Sequence, residues 1–292
     1  MLYKIEMITD YKQIYDYYNK VKNTVPYWFE ADYDIWKQSF ADDTDYDGEK
    51  MFKELVTYAA YSECRIVGFV QVGISDYVYN ENGEKDHSIK GGIIRNIYWD
   101  KEHSCGEQLV SLADDFFKEK SAERLFAFFH AFGMTCNAGH GKLYCKLPYI
   151  EKVLIENGYV KEHENVYYKR KLTNEPVFLN ENVSVEYGEV SEKGLCEFKI
   201  NADGKYVGAG ALVYLPQGEL CYLKWIYVEG GEQGKGYASA ALSCIFKELF
   251  RKGIRRIDTD TADSNIIAQR LYEKTGFENM GYSRSYIKKC KR

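Results

Sequence analysis

The chain has 292 residues, and at about 100–200 residues per domain this length predicts two domains or one large one. The formal net charge is −5 and the pI is near 5.7, so the sequence has no overall basic field to hold a nucleic-acid backbone or an anionic membrane. We therefore expect neither partner. A cationic small molecule or peptide suits the charge better.

The spacing of the cysteines and histidines argues against a metal site. The eight cysteines are scattered and never form a Cys-x-x-Cys pair, and the five histidines show no metal-ligand spacing. The N-terminus lacks the pattern of a signal peptide, and no stretch of about 18 apolar residues is present. The sequence predicts a cytoplasmic protein without a metal site, and it leaves monomer and homodimer equally open.

Hydrophobic periodicity predicts a series of elements in the first half of the chain. The predicted elements are helices at residues 11–21 and 33–40, a strand at 93–99, a helix at 106–117, a strand at 124–129, a helix at 148–156 and a strand at 165–170.

The second half repeats the later part of this order. Its predicted elements are strands at residues 183–190, 195–200, 206–215 and 223–228, a helix at 236–251, a strand at 256–260, a helix at 264–274 and a strand at 281–288. Asp203-Gly204 predicts a hairpin turn between two of these strands. The matching order indicates two related α/β domains, at residues 1–172 and 177–292, joined by turn-forming residues near 172–177.

A glycine-rich segment, Val228-Glu-Gly-Gly-Glu-Gln-Gly-Lys-Gly-Tyr-Ala238, lies between a predicted strand and a predicted helix. Glycines let consecutive backbone amides point into one concavity, and the helix adds its unpaired amides and its positive dipole end. This combination favours binding of a pyrophosphate. The spacing matches neither the P-loop nor the dinucleotide-binding fingerprint.

The segment resembles the coenzyme A signature of the GCN5-related N-acetyltransferases, Gln/Arg-x-x-Gly-x-Gly/Ala, which residues 233–238 satisfy in full. A second family element, Asn-x-x-Ala-x-x-Leu-Tyr-x-Lys-x-Gly-Phe, is complete from Asn265 to Phe277. The resemblance implies an α/β (α+β) fold of two tandem domains, each a mixed, largely antiparallel sheet flanked by helices. It also implies transfer of an acetyl group from acetyl-CoA to a primary amine of a small molecule or peptide, by direct attack in a ternary complex.

The resemblance further implies roles for individual residues. Tyr272 would be the general acid that protonates the departing thiolate. The residues that would hold acetyl-CoA are Ile226, Tyr227, Val228, Gln233, Gly234, Lys235, Gly236, Tyr237, Ala238, Asn265 and Ala268.

The general base is not identified by the resemblance. Family members often have a glutamate on the strand before the glycine-rich loop, whereas this chain has Tyr222, Lys224 and Trp225 there. The nearest carboxylates are those of Glu219 and Glu229. Either acts through water, or the amine arrives already neutral.

The first half resembles a degenerate copy of the second. Aligning Gly106 with Gly236 places Glu107 at Tyr237, so a carboxylate enters where phosphates would bind. Aligning Gly158 with Gly276 places Leu154 at Tyr272, which removes the acid. We expect the first domain to be non-catalytic.

The first domain also contains acidic and aromatic residues that suggest a wall for a cationic acceptor. They are Trp28, Phe29, Glu30, Asp32, Trp36, Asp42, Asp43, Asp45 and Asp47. The alternative interpretation of this stretch is a solvated acidic loop beside an amphipathic helix.

Two other functions remain open. The chain is alternatively a sensor that binds acyl-CoA without turnover, or a transferase with another donor, such as a longer acyl chain or an aminoacyl-tRNA. The net negative charge argues against a tRNA donor.

Overall fold

The computed structural model describes residues 3–28, 30–41, 44–174, 180–215 and 218–289. These residues form two compact units. The N-unit contains the described residues up to Trp28, then Asp32–Glu164, and those from Ser283 onward. The C-unit contains Asn165–Tyr282 and the segment 30–31.

The first elements of the chain belong to the N-unit. In chain order they are β1 (Lys4–Met7), α1 (Lys12–Val21), α2 (Tyr33–Ala41), β2 (Phe52–Ser62), β3 (Arg65–Ser75), β4 (Val78–Tyr79), β5 (Lys85–Asp86), β6 (Gly91–Trp99), α3 (His103–Glu119), β7 (Arg124–Ala127), β8 (Leu143–Tyr144) and α4 (Pro148–Glu156).

The remaining elements form or enter the C-unit. They are β9 (Val160–Lys171), β10 (Val183–Val190), β11 (Leu195–Ala202), β12 (Lys205–Tyr214), β13 (Leu220–Val228), α5 (Tyr237–Arg251), β14 (Arg256–Ala262), α6 (Ile266–Lys274) and β15 (Glu278–Lys289).

The sheet of the N-unit has the order β1-β2-β3-β6-β7, followed by the last part of β15. Strands β6 and β7 are parallel, and the other pairs are antiparallel. The α1 and α2 helices pack on one face through Tyr17 and Phe40, whose rings meet Phe69 of β3. On the other face α3 packs Phe117 against Gly92. Because both faces are covered, every residue of β6 is buried.

The sheet of the C-unit has the order β9-β14-β13-β12-β11-β10, in which only β13 and β14 run parallel. The predicted hairpin is confirmed, because Asp203 and Gly204 have φ values of 50° and 74° between β11 and β12. Helices α5 and α6 cover one face, and a single apolar core lies beneath them. We call the opposite face of this sheet the outer face.

Two strands join the unit formed by the other half of the sequence. Residues 165–171 of β9 pair with β14 in the C-unit, and Ser283–Lys289 of β15 pairs with β8 and β7 in the N-unit. The predicted division into 1–172 and 177–292 assigns each strand to the opposite half. Sequence periodicity identifies strands, but it does not identify their partners. Residues 175–177 of the predicted linker lie outside the described residues.

The predicted fold class is confirmed: each unit forms a mixed, largely antiparallel sheet flanked by helices. The predicted helices and strands are all present, with ends that shift by a few residues. Strands β1 to β3, which the sequence analysis did not assign, complete the N-unit sheet.

Candidate active site

The central feature of the C-unit is a slot between two parallel strands. Strands β13 and β14 pair only from Leu220 with Arg256 to Leu223 with Thr259. Beyond Leu223 a β-bulge at Lys224 shifts the register of β13 against β12. Strand β13 then continues to Val228 and β14 to Ala262. The edges of these two segments do not pair with each other, and we call the gap between them the slot.

The glycine-rich turn follows directly at the end of β13. Gly234 and Gly236 have φ values of 78° and 84°, a conformation that favours glycine. The Gln233 side chain donates from Nε2 to the Val228 carbonyl (3.0 Å), and Lys235 pairs with Glu232 (2.8 Å). These two side chains stabilise the turn itself, so the groups that the turn leaves available to a ligand are its backbone amides.

The N-terminus of α5 opens onto this turn. Gly236 is the N-cap, and no side chain caps the helix. Ala240 donates its amide to the Gly236 carbonyl (3.1 Å), whereas the amides of Tyr237 and Ala238 have no intrahelical acceptor within reach. A Cβ added at Gly234 would meet nothing within 4 Å, so the turn is open to a ligand. These residues fit a pyrophosphate group.

The predicted strand residues divide between the two faces of β13. Ile226 and Val228 pack toward the core beneath α5, while Tyr227 lies on the outer face and is 45% exposed. Only their backbone groups lie along the slot. The side chains of Ile226 and Val228 have a packing role that the sequence analysis did not distinguish from ligand binding.

Asn265 and Ala268 form the start of α6. Asn265 is the N-cap, and its side-chain oxygen accepts a hydrogen bond from the Ala268 amide (3.1 Å). The spacing of these two residues is therefore explained by helix capping. Contact of exposed Asn265 with the pantetheine arm stays a prediction.

Tyr272 approaches the slot from the face covered by α5 and α6. Its ring packs between Tyr168 and Phe277, with ring centroids 5.5 and 5.4 Å away, and it is 4% exposed. Burial raises the pKa of Tyr272 to about 12, a hydrogen bond with Thr259 opposes the rise, and Asp260 adds to it. The Thr259 hydroxyl donates to the Leu223 carbonyl (2.9 Å), where the strands separate.

A carboxylate that the sequence analysis missed lies on the outer face of the same slot. Asp260 follows Thr259, the last residue of β14 that pairs with β13, and accepts hydrogen bonds from Tyr222 (2.7 Å) and Asn165 (2.7 Å). By contrast, Glu219 precedes β13 and Glu229 follows it. The signal for Asp260 in the sequence is the alternation Asp258-Thr259-Asp260, which puts two carboxylates on one face of a buried strand.

The two carboxylates of β14 differ in accessibility. Asp258 is fully buried and accepts hydrogen bonds from Tyr167 (2.6 Å) and Arg256 (3.0 Å). Burial raises the pKa of Asp258 despite Arg256 beside it. Asp260 is only partly buried, so it is the carboxylate that a ligand on the outer face can approach.

The corresponding region of the N-unit is filled by its own side chains. Only three residues separate β6 from α3, and Gly106 lies inside α3 instead of preceding it. Aligning Gly106 with Gly236 therefore does not match the two helix starts. A Cβ at Gly106 would overlap the ring of Trp99, which is 2% exposed. The indole thus covers the first turn of the helix.

Strand β6 also has a β-bulge, at Arg95, and the side chain of this residue fills more of the corresponding region of the N-unit. Arg95 is 2% exposed and donates to backbone carbonyls of Phe40 (2.9 Å), Phe132 (2.9 Å) and Gly133 (2.8 Å). Its counterpart in β13, Lys224, is exposed. The loop after β7 is thereby held against β6.

The alignment of Gly158 with Gly276 agrees with the positions at which α4 and α6 end. Gly158 and Gly276 each lie two residues beyond a helix and have φ values of 84° and 81°. Leu154 and Tyr272 consequently occupy equivalent turns of α4 and α6.

Part of the predicted acceptor wall has a different role within the N-unit. Trp36 is fully buried, and Asp45 accepts hydrogen bonds from Lys85 (2.6 Å) and Tyr77 (2.8 Å). Phe29, Asp42 and Asp43 lie outside the described residues. A role of the remaining residues in acceptor binding stays a prediction.

Within the described residues, no group of three or more His, Cys, Asp or Glu side chains is arranged to hold a metal ion. The described helices also include none that is long and apolar enough to cross a membrane.

Comparison with known proteins addresses the fold and the family. The sequence model of the acetyltransferase (GNAT) family matches residues 160–277, a range that begins with β9 and includes both motifs. Curated protein sequences gave no match.

Solved structures match over nearly the whole chain. A tandem GNAT protein from the clavulanic acid biosynthesis pathway aligns with 100% of this chain and 99% of its own, at 10% identity and a TM-score of 0.66. A GCN5-related glucosamine N-acetyltransferase region of a fungal multi-domain β-N-acetylglucosaminidase aligns with 98% of this chain and 38% of its own, at 12% identity and a TM-score of 0.65. An acetyltransferase of the GNAT family from Colwellia psychrerythraea aligns with 98% of this chain and 100% of its own, at 16% identity and a TM-score of 0.52. At these identities the likeness shows the fold.

The split strands, the glycine-rich turn and the family match agree with one another: residues 160–277 match the acetyltransferase (GNAT) family, and the whole chain has the fold of a tandem GNAT protein.

Proposed function

We propose that this protein is an N-acetyltransferase that moves an acetyl group from acetyl-CoA to a primary amine, with its transfer site in the C-unit. The observation that carries the proposal is the slot between β13 and β14. It leads to an anion-binding turn, and it has Tyr272 on one face and Asp260 on the other.

The donor end of the site rests on backbone groups. Amides of residues 233–238 would hold the pyrophosphate, and the separated edges of β13 and β14 would hold the pantetheine arm. The proposed binding residues are those implied by the family motif, with Asn265 at the start of α6 contacting the arm. When bound, acetyl-CoA would supply the thioester carbonyl that the amine attacks.

Tyr272 is the proposed proton donor to the departing sulfur. Its pKa of about 12 keeps the hydroxyl protonated at neutral pH. A buried hydroxyl at the point where the strands separate donates to negative charge that develops there, in a site where water is excluded.

Asp260 is the proposed acceptor of the amine proton, directly or through the Tyr222 hydroxyl. It lies on the outer face, so the amine and the departing sulfur are served from opposite sides of the slot. Asp260 takes one proton from the ammonium group, which frees the nitrogen lone pair for attack on the thioester carbonyl. As the new C–N bond forms, the nitrogen releases its second proton to solvent. As the C–S bond breaks, the Tyr272 hydroxyl donates to the sulfur.

Direct transfer in a ternary complex requires no covalent enzyme intermediate. Holding both reactants in one slot accounts for much of the acceleration, because it converts a bimolecular step into an effectively unimolecular one.

The N-terminal copy, residues 1–172, is proposed to be non-catalytic. Three features support this: Trp99 covers the helix start, Arg95 holds a loop against β6, and Leu154 stands where the C-unit has Tyr272. Each chain would then have one site competent for acetyl transfer, and that site would lie in the second domain, residues 177–292.

The proposal is tested by incubating the protein with acetyl-CoA and a panel of primary amines, while following thiol release and product mass. We expect thiol release that matches the acetylated amine in amount. Coenzyme binding without turnover of any amine would instead indicate a sensor. A strong preference for a longer acyl-CoA thioester would mean that the donor is not acetyl-CoA.

A further inference from the structure

A cleft of about 390 Å³ lies on the outer face of the C-unit, at the side of β13 away from β14. We call it the outer-face cleft. Its lining includes Glu186, Glu197, Lys199, Tyr206, Ala209 and Trp225. Neither the family motif nor the transfer mechanism accounts for it.

Two cross-strand rows build this cleft. One row runs from Glu197 through Ala211 to Trp225, and the other runs from Lys199 through Ala209. Tyr227 ends the second row. Both central positions carry only a methyl group; Ala209 lines the cleft, and Ala211 is fully buried. The cleft exists because β12 has small residues where its neighbours have long ones.

The aromatic wall is preorganised. The rings of Trp225 and Tyr227 are stacked with centroids 5.7 Å apart at 20°, and the hydroxyls of Tyr227 and Tyr206 are 2.6 Å apart. The face of such an aromatic wall can bind a cation or pack against an alkyl chain.

The opposite wall carries a net negative charge. Glu186 and Lys199 are directly opposite each other on β10 and β11, so their charges offset each other. Glu197 adds an uncompensated carboxylate. Among the described residues, Glu197 takes part in no ion pair, and it is exposed. The charge of the cleft therefore favours a cationic group.

The position of the cleft connects it to the transfer site. Trp225 lies on the part of β13 that borders the slot, and Glu197 lies two strands away. At a spacing of about 4.8 Å per strand, that separation is about 10 Å. A ligand that reaches from the slot to Glu197 passes over Trp225 and Ala209, which line the cleft between them.

We infer that the acceptor is a linear diamine or polyamine: one primary amine enters the slot, and a second cationic amine lies in the outer-face cleft beside Glu197 and Trp225. This inference rests on the proposed amine acetylation and specifies the acceptor. The carboxylate and the indole together would lower the KM of a diamine about tenfold relative to a monoamine of the same length.

The test compares three acceptor series of matched length: α,ω-diamines, n-alkylamines and ω-amino acids. Kinetic constants are measured for the unaltered chain, for Glu197→Gln and for Glu192→Gln. The last variant removes an exposed carboxylate from the β10–β11 turn, outside the cleft. We expect Glu197→Gln to raise the diamine KM about threefold to fivefold, because the indole contact is retained, and to leave kcat and the monoamine KM unchanged. Glu192→Gln should change none of these values.

A direct binding measurement separates this inference from the proposed function. The diamine is titrated calorimetrically into the full chain with CoA present, and into Glu197→Gln. Binding that weakens about threefold to fivefold in the variant supports the inference, even if no amine is acetylated. Equal KM values for diamine and monoamine, a preference for the ω-amino acid, or no diamine binding while another amine is acetylated would overturn it.

Discussion

Tyr272 is the residue whose environment is most specific to the proposed chemistry. It is buried against Tyr168 and Phe277, yet its hydroxyl lies where β13 and β14 separate. Tyr272→Phe keeps the ring and removes the donor, so we expect kcat to fall by about a hundredfold to ten-thousandfold while the Kd of acetyl-CoA is unchanged. Steady-state kinetics and a coenzyme titration check this. An unchanged kcat would assign Tyr272 to packing alone.

The pKa of Tyr272 adds a pH dependence to this expectation. Because burial raises the pKa to about 12, the donor stays protonated as the pH rises through neutrality and beyond the ordinary value near 10. The kcat of the unaltered chain should not decline between pH 7 and about pH 10 through loss of this proton. A decline in that window that is absent from Tyr272→Phe would contradict the assignment.

Asp260 is the residue proposed to take the amine proton. Removing its charge by Asp260→Asn should lower kcat/KM by about a hundredfold near neutral pH. The defect should shrink as the pH approaches the ordinary amine pKa of about 10.4, because more of the amine is then already neutral. Rates across pH check this, with Asp263→Asn as the control, an exposed carboxylate just beyond β14. A defect that is the same at every pH would indicate a structural role.

At the scale of elements, the end of α6 depends on a side chain from β9. Arg170 donates to the Thr275 carbonyl and lies 4.5 Å from the Phe246 ring centroid, and a Cβ at Gly276 would overlap its guanidinium. Gly276→Ala should lower the free energy of unfolding by about 2–5 kcal/mol, from backbone strain and from this overlap.

A second helix-ending glycine provides the control for that substitution. Gly253 also has a positive φ of 89°, but a Cβ there would meet nothing within 4 Å. Gly253→Ala should therefore lower the free energy of unfolding only by the strain of about 1–2 kcal/mol. Urea denaturation of both variants measures the difference. Equal effects would mean that Arg170 moves aside without cost.

The helices, strands and turns show which features of this structure could be predicted from local sequence patterns. Local patterns predicted α4 and β10 at their observed bounds, and they predicted the hairpin at Asp203-Gly204. The family motif predicted where the glycine-rich turn lies. Asp260 was not predicted as a site residue, because its importance depends on the separation of β14 from a strand far away in sequence. The packing of Trp99 over Gly106 was likewise not predictable from the local pattern.

At the scale of the whole molecule, each unit requires a strand from the other half of the sequence. Residues 165–171 contribute Val166 and Tyr168 to the C-unit core, and burial of such side chains stabilises a fold by about 1.5–3 kcal/mol each. The free energy of unfolding of a typical domain is only about 5–15 kcal/mol, so losing the burial that this strand provides would remove a large part of the stability. A fragment of residues 177–282 should therefore fail to fold, whereas residues 160–282 should fold.

Near-ultraviolet circular dichroism and urea denaturation of the two fragments check this. A cooperative transition of residues 177–282 that matches residues 160–282 would show that β9 is dispensable. The start of the family match at residue 160 agrees with the larger fragment.

The central claim is that each chain has one coenzyme site, formed by the turn before α5. Calorimetric titration of acetyl-CoA into the full chain tests it, with Gly236→Glu and Gly230→Glu compared. Both variants add one carboxylate to the same loop, but only Gly236 has a positive φ and caps α5. We predict one site per chain, lost in Gly236→Glu and retained in Gly230→Glu. Two sites per chain, or binding that survives Gly236→Glu, would contradict the account.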